Sequence, residues 1–142
     1  RSVKASSSKF KKVAGWLNID EPSSEFNIRF IADNDKTRAK GLMNAEPLDS
    51  DEVAFFAFDY PDCYSFWNKN VSFPLTLAFL DNNFKIVDFK DLEAEQTKSV
   101  YPNSNNVKYV VEANKGLFKK LGIGVGDKLF LKGKKVIFSK KT

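Results

Sequence analysis

Residues 75–89 read Leu-Thr-Leu-Ala-Phe-Leu-Asp-Asn-Asn-Phe-Lys-Ile-Val-Asp-Phe. Leu75 to Leu80 is an apolar run of strand length, and Phe84 to Phe89 is a second run rich in aromatic and β-branched residues. Between them, Asp81-Asn82-Asn83 tolerate the positive φ of tight turns, so the segment is expected to form a β-hairpin. Working outward, Phe26, Ile28 and Phe30 alternate with Asn27 and Arg29, the period-2 signature of a half-buried strand. Val53 to Phe58 is a continuous apolar run that breaks at Asp59-Tyr60-Pro61-Asp62, and Tyr64 to Trp67 is expected to return beside it as a further short strand. Val107, Tyr109 and Val111 read as one face of another strand. Lys128 to Leu131 and Lys135 to Phe138 flank the glycine-containing turn Lys132-Gly133-Lys134. About eight or nine short strands with dispersed turns predict a mainly β chain: an antiparallel β-sandwich or barrel, jelly-roll-like, rather than a parallel α/β sheet.

Two short helices interrupt this pattern. Asn34 or Asp35 can cap one over about 36–42, because a side-chain oxygen there accepts the unpaired N–H groups of the first turn, and Gly41 keeps it short. Asn114 can cap a second over about 115–121, with Gly122 as its left-handed C-terminal residue. The polar stretch 92–106, with Pro102, Asn103, Asn105 and Asn106, reads as a long loop of the kind that often carries function.

Composition limits the chemistry. The 142 residues are 42% hydrophobic and 14% aromatic, enough for one domain that buries roughly 70% of its unfolded surface. No apolar run approaches the ~20 residues of a membrane-spanning helix. The chain has no histidine, so imidazole bases, Ser-His and Cys-His nucleophile pairs and the commonest zinc and haem ligands are absent. Its single cysteine, Cys63, can form neither an internal disulfide nor a Cys-rich metal cage. No metal or cofactor is expected.

The net charge of +5 is segregated. Arg1, Lys4, Lys9, Lys11 and Lys12 stand at one end without an acid, and Lys132, Lys134, Lys135, Lys140 and Lys141 at the other, leaving the body mildly acidic. Residues 1–12 are expected to be a basic flexible arm, 13–138 a single β-rich domain and 139–142 a basic tail. Lysines without interleaved arginine or aromatic planes can neutralise phosphates or anionic headgroups but read bases poorly, so weak contact with anionic surfaces is expected of the ends and sequence-specific nucleic-acid binding is not. The chain begins at Arg1, and an export signal or anchor is expected upstream.

The densest conjunction of polar and aromatic groups is Phe66-Trp67-Asn68-Lys69-Asn70, followed by Pro74. Extended, this segment points Trp67 and Lys69 to one side and Asn70 to the other. A bend before Pro74, which disfavours helical geometry at Phe73, would bring Trp67, Lys69 and Asn70 together at a strand end. An indole edge, an ammonium and an amide there suit an anionic or sugar-like ligand. The alternative is a buried Trp67 with Lys69 over its ring. Arg38 can hold a carboxylate or phosphate in its planar fork, while Met43 reads as a core gap-filler. Without histidine, acid–base work falls to carboxylates, for which Asp59, Asp62, Asp81 and Glu112 are the candidates, although turns use Asp for backbone hydrogen bonds just as well. Gly122, Gly124 and Gly126 follow a helix instead of opening one, which excludes a phosphate loop.

The order Arg38, Gly41-Leu42-Met43, Phe66-Trp67-Asn68-Lys69-Asn70, Pro74-Leu75, Ala78-Phe79-Leu80-Asp81, Tyr109, Val111-Glu112, Gly116 and Gly126-Asp127 resembles the bacterial and archaeal domain of unknown function 192 family. The resemblance spans about residues 26–131. It implies a compact β-sandwich or barrel with short helices, commonly in proteins bearing an export signal or lipid anchor, and implies no reaction. Asn68 stands where that family usually has methionine, and Thr76 where an aspartate commonly follows Pro-Leu. Val53-Ala54-Phe55 replaces a Gly-Met-Leu-like run. The missing aspartate at Thr76 removes the most obvious acid.

Together these readings lead to a binding or accessory domain of the periplasm or cell envelope without enzymatic activity, taking a small anionic or sugar-like ligand through Arg38, Trp67, Lys69 and Asn70. The alternatives are a hydrolase using Asp59, Asp81 or Glu112 and polyanion binding through the basic ends.

Overall fold

The computed structural model describes residues 23–140. The expected arm, residues 1–12, the first ten residues of the expected domain, 13–22, and the last two residues of the tail lie outside them. Seven strands form one sheet: β1 (Ser23–Ala32), β2 (Glu52–Asp62), β3 (Leu75–Leu80), β4 (Ile86–Leu92), β5 (Val107–Asn114), β6 (Lys128–Lys132) and β7 (Lys135–Ser139). Helix α1 (Asp35–Lys40) follows β1 and helix α2 (Leu117–Lys120) follows β5. The strand order is β4-β3-β5-β2-β1-β7-β6. All pairs are antiparallel except β1 with β2, which run parallel with Asn27 opposite Glu52 and Ala32 opposite Phe56.

This corrects the expectation of a purely antiparallel sandwich. The fold is mainly β with two short helices, but it is a single mixed sheet curled into a half-barrel. The parallel pair arises because the connection from β1 to β2 contains α1 and is long enough for a crossover, which a tight turn cannot make. The curl brings the two edge strands together at one end. Ile86 N–H donates to Asp127 O at 2.9 Å, Gly126 N–H to Ile86 O at 2.9 Å and Leu129 N–H to Phe84 O at 2.9 Å.

Both faces of the curled sheet are covered. One apolar cluster, containing Phe26, Val53, Phe55, Leu80, Val111 and Phe118, fills one side. Phe118 of α2 meets Phe26 and Phe138 edge-on at 6.2 and 5.5 Å between centroids. The other cluster, on the opposite side chains of the same strands, contains Ala54, Phe56, Leu77, Phe79 and Val110, with Leu42, Leu48, Val71 and Phe73 laid over them by the segments after α1 and before β3. Burial on both faces explains why β3 reads as an unbroken apolar run and is buried at all six positions.

The hairpin of β3 and β4 forms as expected, and so does that of β6 and β7 with Gly133 at φ 58°. Four local expectations are corrected. In the β3–β4 turn the positive φ falls on Phe84, at 61°, not on Asn82 or Asn83, because the Asp81 carboxylate accepts the N–H groups of Asn83 at 2.8 Å and Lys85 at 3.0 Å and sets the turn one residue later. β2 does not stop at Phe58 to pair with Tyr64–Trp67. It continues to Asp62, since Pro61 lies within the bulge between Ala57 and Asp62 where the ladder to β5 needs no donor, and Phe66 makes only an isolated bridge to Val100. That irregularity also puts Val107 on the opposite face from Tyr109 and Val111. Finally, Asn114 is the last residue of β5 and donates its side-chain amide to Leu48 O at 2.8 Å, so Gly116, at φ 81°, precedes α2 instead.

Candidate functional site

Arg38 is positioned by α1, a helix of only six residues that depends on its cap. Asn34 Oδ1 accepts Thr37 N–H at 2.9 Å and Thr37 Oγ1 accepts Asn34 N–H at 3.2 Å, a reciprocal capping pair. Gly41, at φ 50°, ends the helix, its N–H donating to Thr37 O at 2.9 Å. Arg38 Nη1 then donates to Ala57 O at 2.7 Å and Nη2 to Asp35 Oδ1 at 3.1 Å, with the guanidinium 5.3 Å from the Phe58 ring centroid. Two donors are thus engaged out of the five that a guanidinium carries.

Facing α1 is the segment before β3. Tyr64 stacks on Phe58, and Phe66 stands edge-on to Phe56 at 5.2 Å and to Phe79 at 6.0 Å. Burial raises the Tyr64 phenol above its ordinary value of 10.0. Asn68 is 1% exposed and donates its amide to Phe73 O at 3.0 Å and Glu93 O at 2.9 Å, locking the bend that follows Trp67. Asn70, at φ 60°, completes the bend and accepts Asn44 N–H at 2.8 Å through its backbone carbonyl.

Between these walls lies a cavity of about 500 Å³, lined by Arg38, Phe56, Phe58, Phe66, Trp67 and Glu112 together with the backbone around Gly41. Trp67 is 47% exposed at its rim. Of the residues expected to form the site, Arg38 and Trp67 line this cavity, whereas Lys69 and Asn70 do not. Lys69 Nζ lies 5.5 Å from the Trp67 ring centroid, outside the cavity, and Asn70 shapes the chain.

Glu112, one of the candidate acids, has a setting that the sequence did not indicate. It lies inside β5, which runs two residues further, and is paired with Ala54 of β2 on one side and Leu77 of β3 on the other. It is 4% exposed, and burial alone raises its carboxyl from 4.5 to about 8. Among the described residues its carboxyl has neither a hydrogen-bond partner nor an ion pair. The available signal was a charged residue inside the otherwise apolar run Val110-Val111-Glu112-Ala113.

The other carboxylates lie elsewhere. Asp59 and Asp62 are exposed, and Asp81 serves the β3–β4 turn. Among the described residues no group of three acids or Cys residues is arranged to hold a metal ion. Of the C-terminal lysines, Lys135 pairs with Glu25 at 2.9 Å and Lys140 with Asp127 at 3.0 Å.

Comparison with known proteins agrees with this fold. A protein of unknown function from Novosphingobium aromaticivorans DSM 12444 is 26% identical, over 75% of this chain and 81% of its own, with a TM-score of 0.67. A protein from Sinorhizobium meliloti 1021, provisionally described as a transcription regulator, is 21% identical over 76% of this chain and 92% of its own, with a TM-score of 0.68, a likeness of fold alone. No curated protein matches. A family model for the domain of unknown function 192, an uncharacterized ACR, matches residues 17–131. The match spans most of the chain, and the protein belongs to that family.

Proposed function

We propose that this domain binds a small acidic sugar-like molecule in the cavity beneath Trp67, as a binding or accessory protein of the cell envelope that does not transform its ligand. The observation that carries the proposal is the convergence of Arg38 and Trp67, twenty-nine residues apart in the chain, on one aromatic-walled cavity of about 500 Å³, a size common for small-ligand sites. Arg38 keeps donors for a carboxylate while its other N–H groups fix it to Ala57 O and Asp35. The half-exposed indole offers a flat face to a sugar ring, and Lys69 adds a positive charge beside it. A paired-carboxylate hydrolase needs two acids about 5 to 10 Å apart in one cleft. Among the described residues Glu112 is the only acid lining this one, which supports binding over catalysis.

The test is calorimetric titration with D-glucuronate and D-glucose. Saturable binding of glucuronate is expected, weaker for glucose, and Arg38→Gln is expected to weaken glucuronate about tenfold or more, the scale of one charge-assisted hydrogen bond. Absence of saturable heat with glucuronate at millimolar concentrations would overturn the proposal. The envelope location rests on the family resemblance alone. It is checked by fractionating cells that express the full-length protein, and recovery with the cytoplasmic enzymes would refute it.

A further inference from the structure

A carboxyl on the middle of a central strand, with apolar neighbours and no partner, is costly. Burial among apolar side chains disfavours its charged form. Glu112 lies between Ala54 and Leu77 in the sheet, shares its face with Phe56 and Val110, and lines the cavity that Trp67 and Arg38 open onto. Side-chain exposure of the polar and indole groups falls from the rim inward: Trp67 is half-exposed, the Arg38 side chain is 13% exposed and Glu112 is 4% exposed. Glu112 is thus the least exposed titratable group lining the cavity.

We propose that Glu112 is the specificity-determining residue of the cavity: its carboxyl O–H donates a hydrogen bond to a hydroxyl, ring or carbonyl oxygen at the inner end of a ligand whose anionic group stays at Arg38. The inference deepens the acidic-sugar reading and rests on it. It divides the ligand into two poles, an anion near the mouth and an uncharged oxygen acceptor inside.

The charged and titratable groups around Glu112 agree with that division. From α1, Arg38 is held by Ala57 O and Asp35, and Lys40 contributes to the cavity wall. Tyr64 comes from the segment before β3, and its phenol stays protonated to above its ordinary 10.0. On the sheet, Lys90 of β4 lies opposite Leu77, one strand beyond the neighbour of Glu112. Burial is the sole cause that raises the Glu112 carboxyl to about 8, so the group is mostly protonated at pH 7. A ligand carboxylate beside Glu112 would lie against a carboxyl that no cation among the described residues holds ionised, and a ligand ammonium would have to displace the proton. An uncharged acceptor requires neither.

The experiment is calorimetric titration of D-glucuronate into the wild type, Glu112→Gln and Glu112→Leu from about pH 6 to pH 9, in paired buffers of different ionisation enthalpy, with melting curves to confirm that each variant is folded. Wild-type affinity is expected to hold to pH 7 and then to fall, approaching tenfold per pH unit above about 8 as the donor ionises, with proton uptake on binding near pH 8. Glu112→Gln retains a donor and an acceptor. It is expected to bind as the wild type does at pH 7 and to lose the pH dependence. Glu112→Leu is expected to bind about tenfold or more weakly than the wild type at pH 7, with an affinity that does not change with pH. Affinity that rises with pH, with proton release, would mean a cationic pole and overturn the assignment. Wild-type affinity in the folded Leu variant, or an unchanged pH profile in the Gln variant, would do the same while leaving the cavity as the binding site. No binding of glucuronate by the wild type sinks the underlying function as well.

Discussion

Asn68 and Trp67 are neighbours with opposite roles. The Asn68 amide satisfies two backbone carbonyls from a site that is 1% exposed, whereas Trp67 is 47% exposed and gives up little burial if removed. Asn68→Ala is expected to destabilise the fold by about 2–4 kcal/mol in urea, two unsatisfied acceptors at once, and Trp67→Ala by much less while abolishing glucuronate binding. A difference of under half a kcal/mol between the two would show that the bend does not depend on the amide. Glu112 makes a separate statement through pH. Its carboxyl is raised when folded, to about 8 from 4.5, so its stabilising share is complete below pH 4.5 and is lost as pH rises through 8. Between those values wild-type stability is expected to fall, relative to Glu112→Gln, with a slope of up to about 1.4 kcal/mol per pH unit. Parallel stability curves for the two proteins would contradict the burial argument. Arg38 and Trp67 were legible as candidates because guanidinium and indole advertise their chemistry. Glu112 was readable as a carboxylate but not as part of a cavity, since its setting is made by β2 and β3, distant in sequence.

At the scale of elements, α1 connects the fold to the site. A helix of six residues has no stability of its own, so its geometry comes from the Asn34–Thr37 cap, the Gly41 turn and Arg38 bound to β2. Asn34→Ala is expected to cost about 1 kcal/mol and to weaken glucuronate binding several-fold, because Arg38 loses its platform; unchanged affinity with the expected stability loss would separate cap from site. This helix was legible to within two residues, since capping chemistry is local. The segment after β2 was not. Asp59-Tyr60-Pro61-Asp62 carries every turn signal, yet a bulge absorbs the proline and the strand runs on. Tyr64 and Phe66 are left free to pack against Phe58 and Phe56, where they build the cavity wall instead of a hairpin.

For the molecule as a whole, a mainly β chain was legible from strand periodicity and turn residues, but a curled mixed sheet was not, because strand partners are chosen by long-range packing. Closure is the global feature most open to test. The buried Asp127 carboxylate accepts Gly124 N–H at 2.8 Å and pairs with Lys140 at 3.0 Å, and its backbone carbonyl receives Ile86 N–H. It therefore shapes the loop that ties β6 to the start of β4. The central pairs of β5 with β2 and β3 do not depend on that loop. In Asp127→Ala, amide exchange at Ile86, Gly126 and Leu129 is expected to accelerate well beyond that at Leu77 and Val111, because the edges part by local opening before the centre of the sheet unfolds. Global stability should fall by about 1–3 kcal/mol, the range for a buried acceptor removed from its donors. If exchange instead accelerated equally at all five amides, the closure would have to be an inseparable part of one cooperative unit, and the half-barrel would have no independent seam.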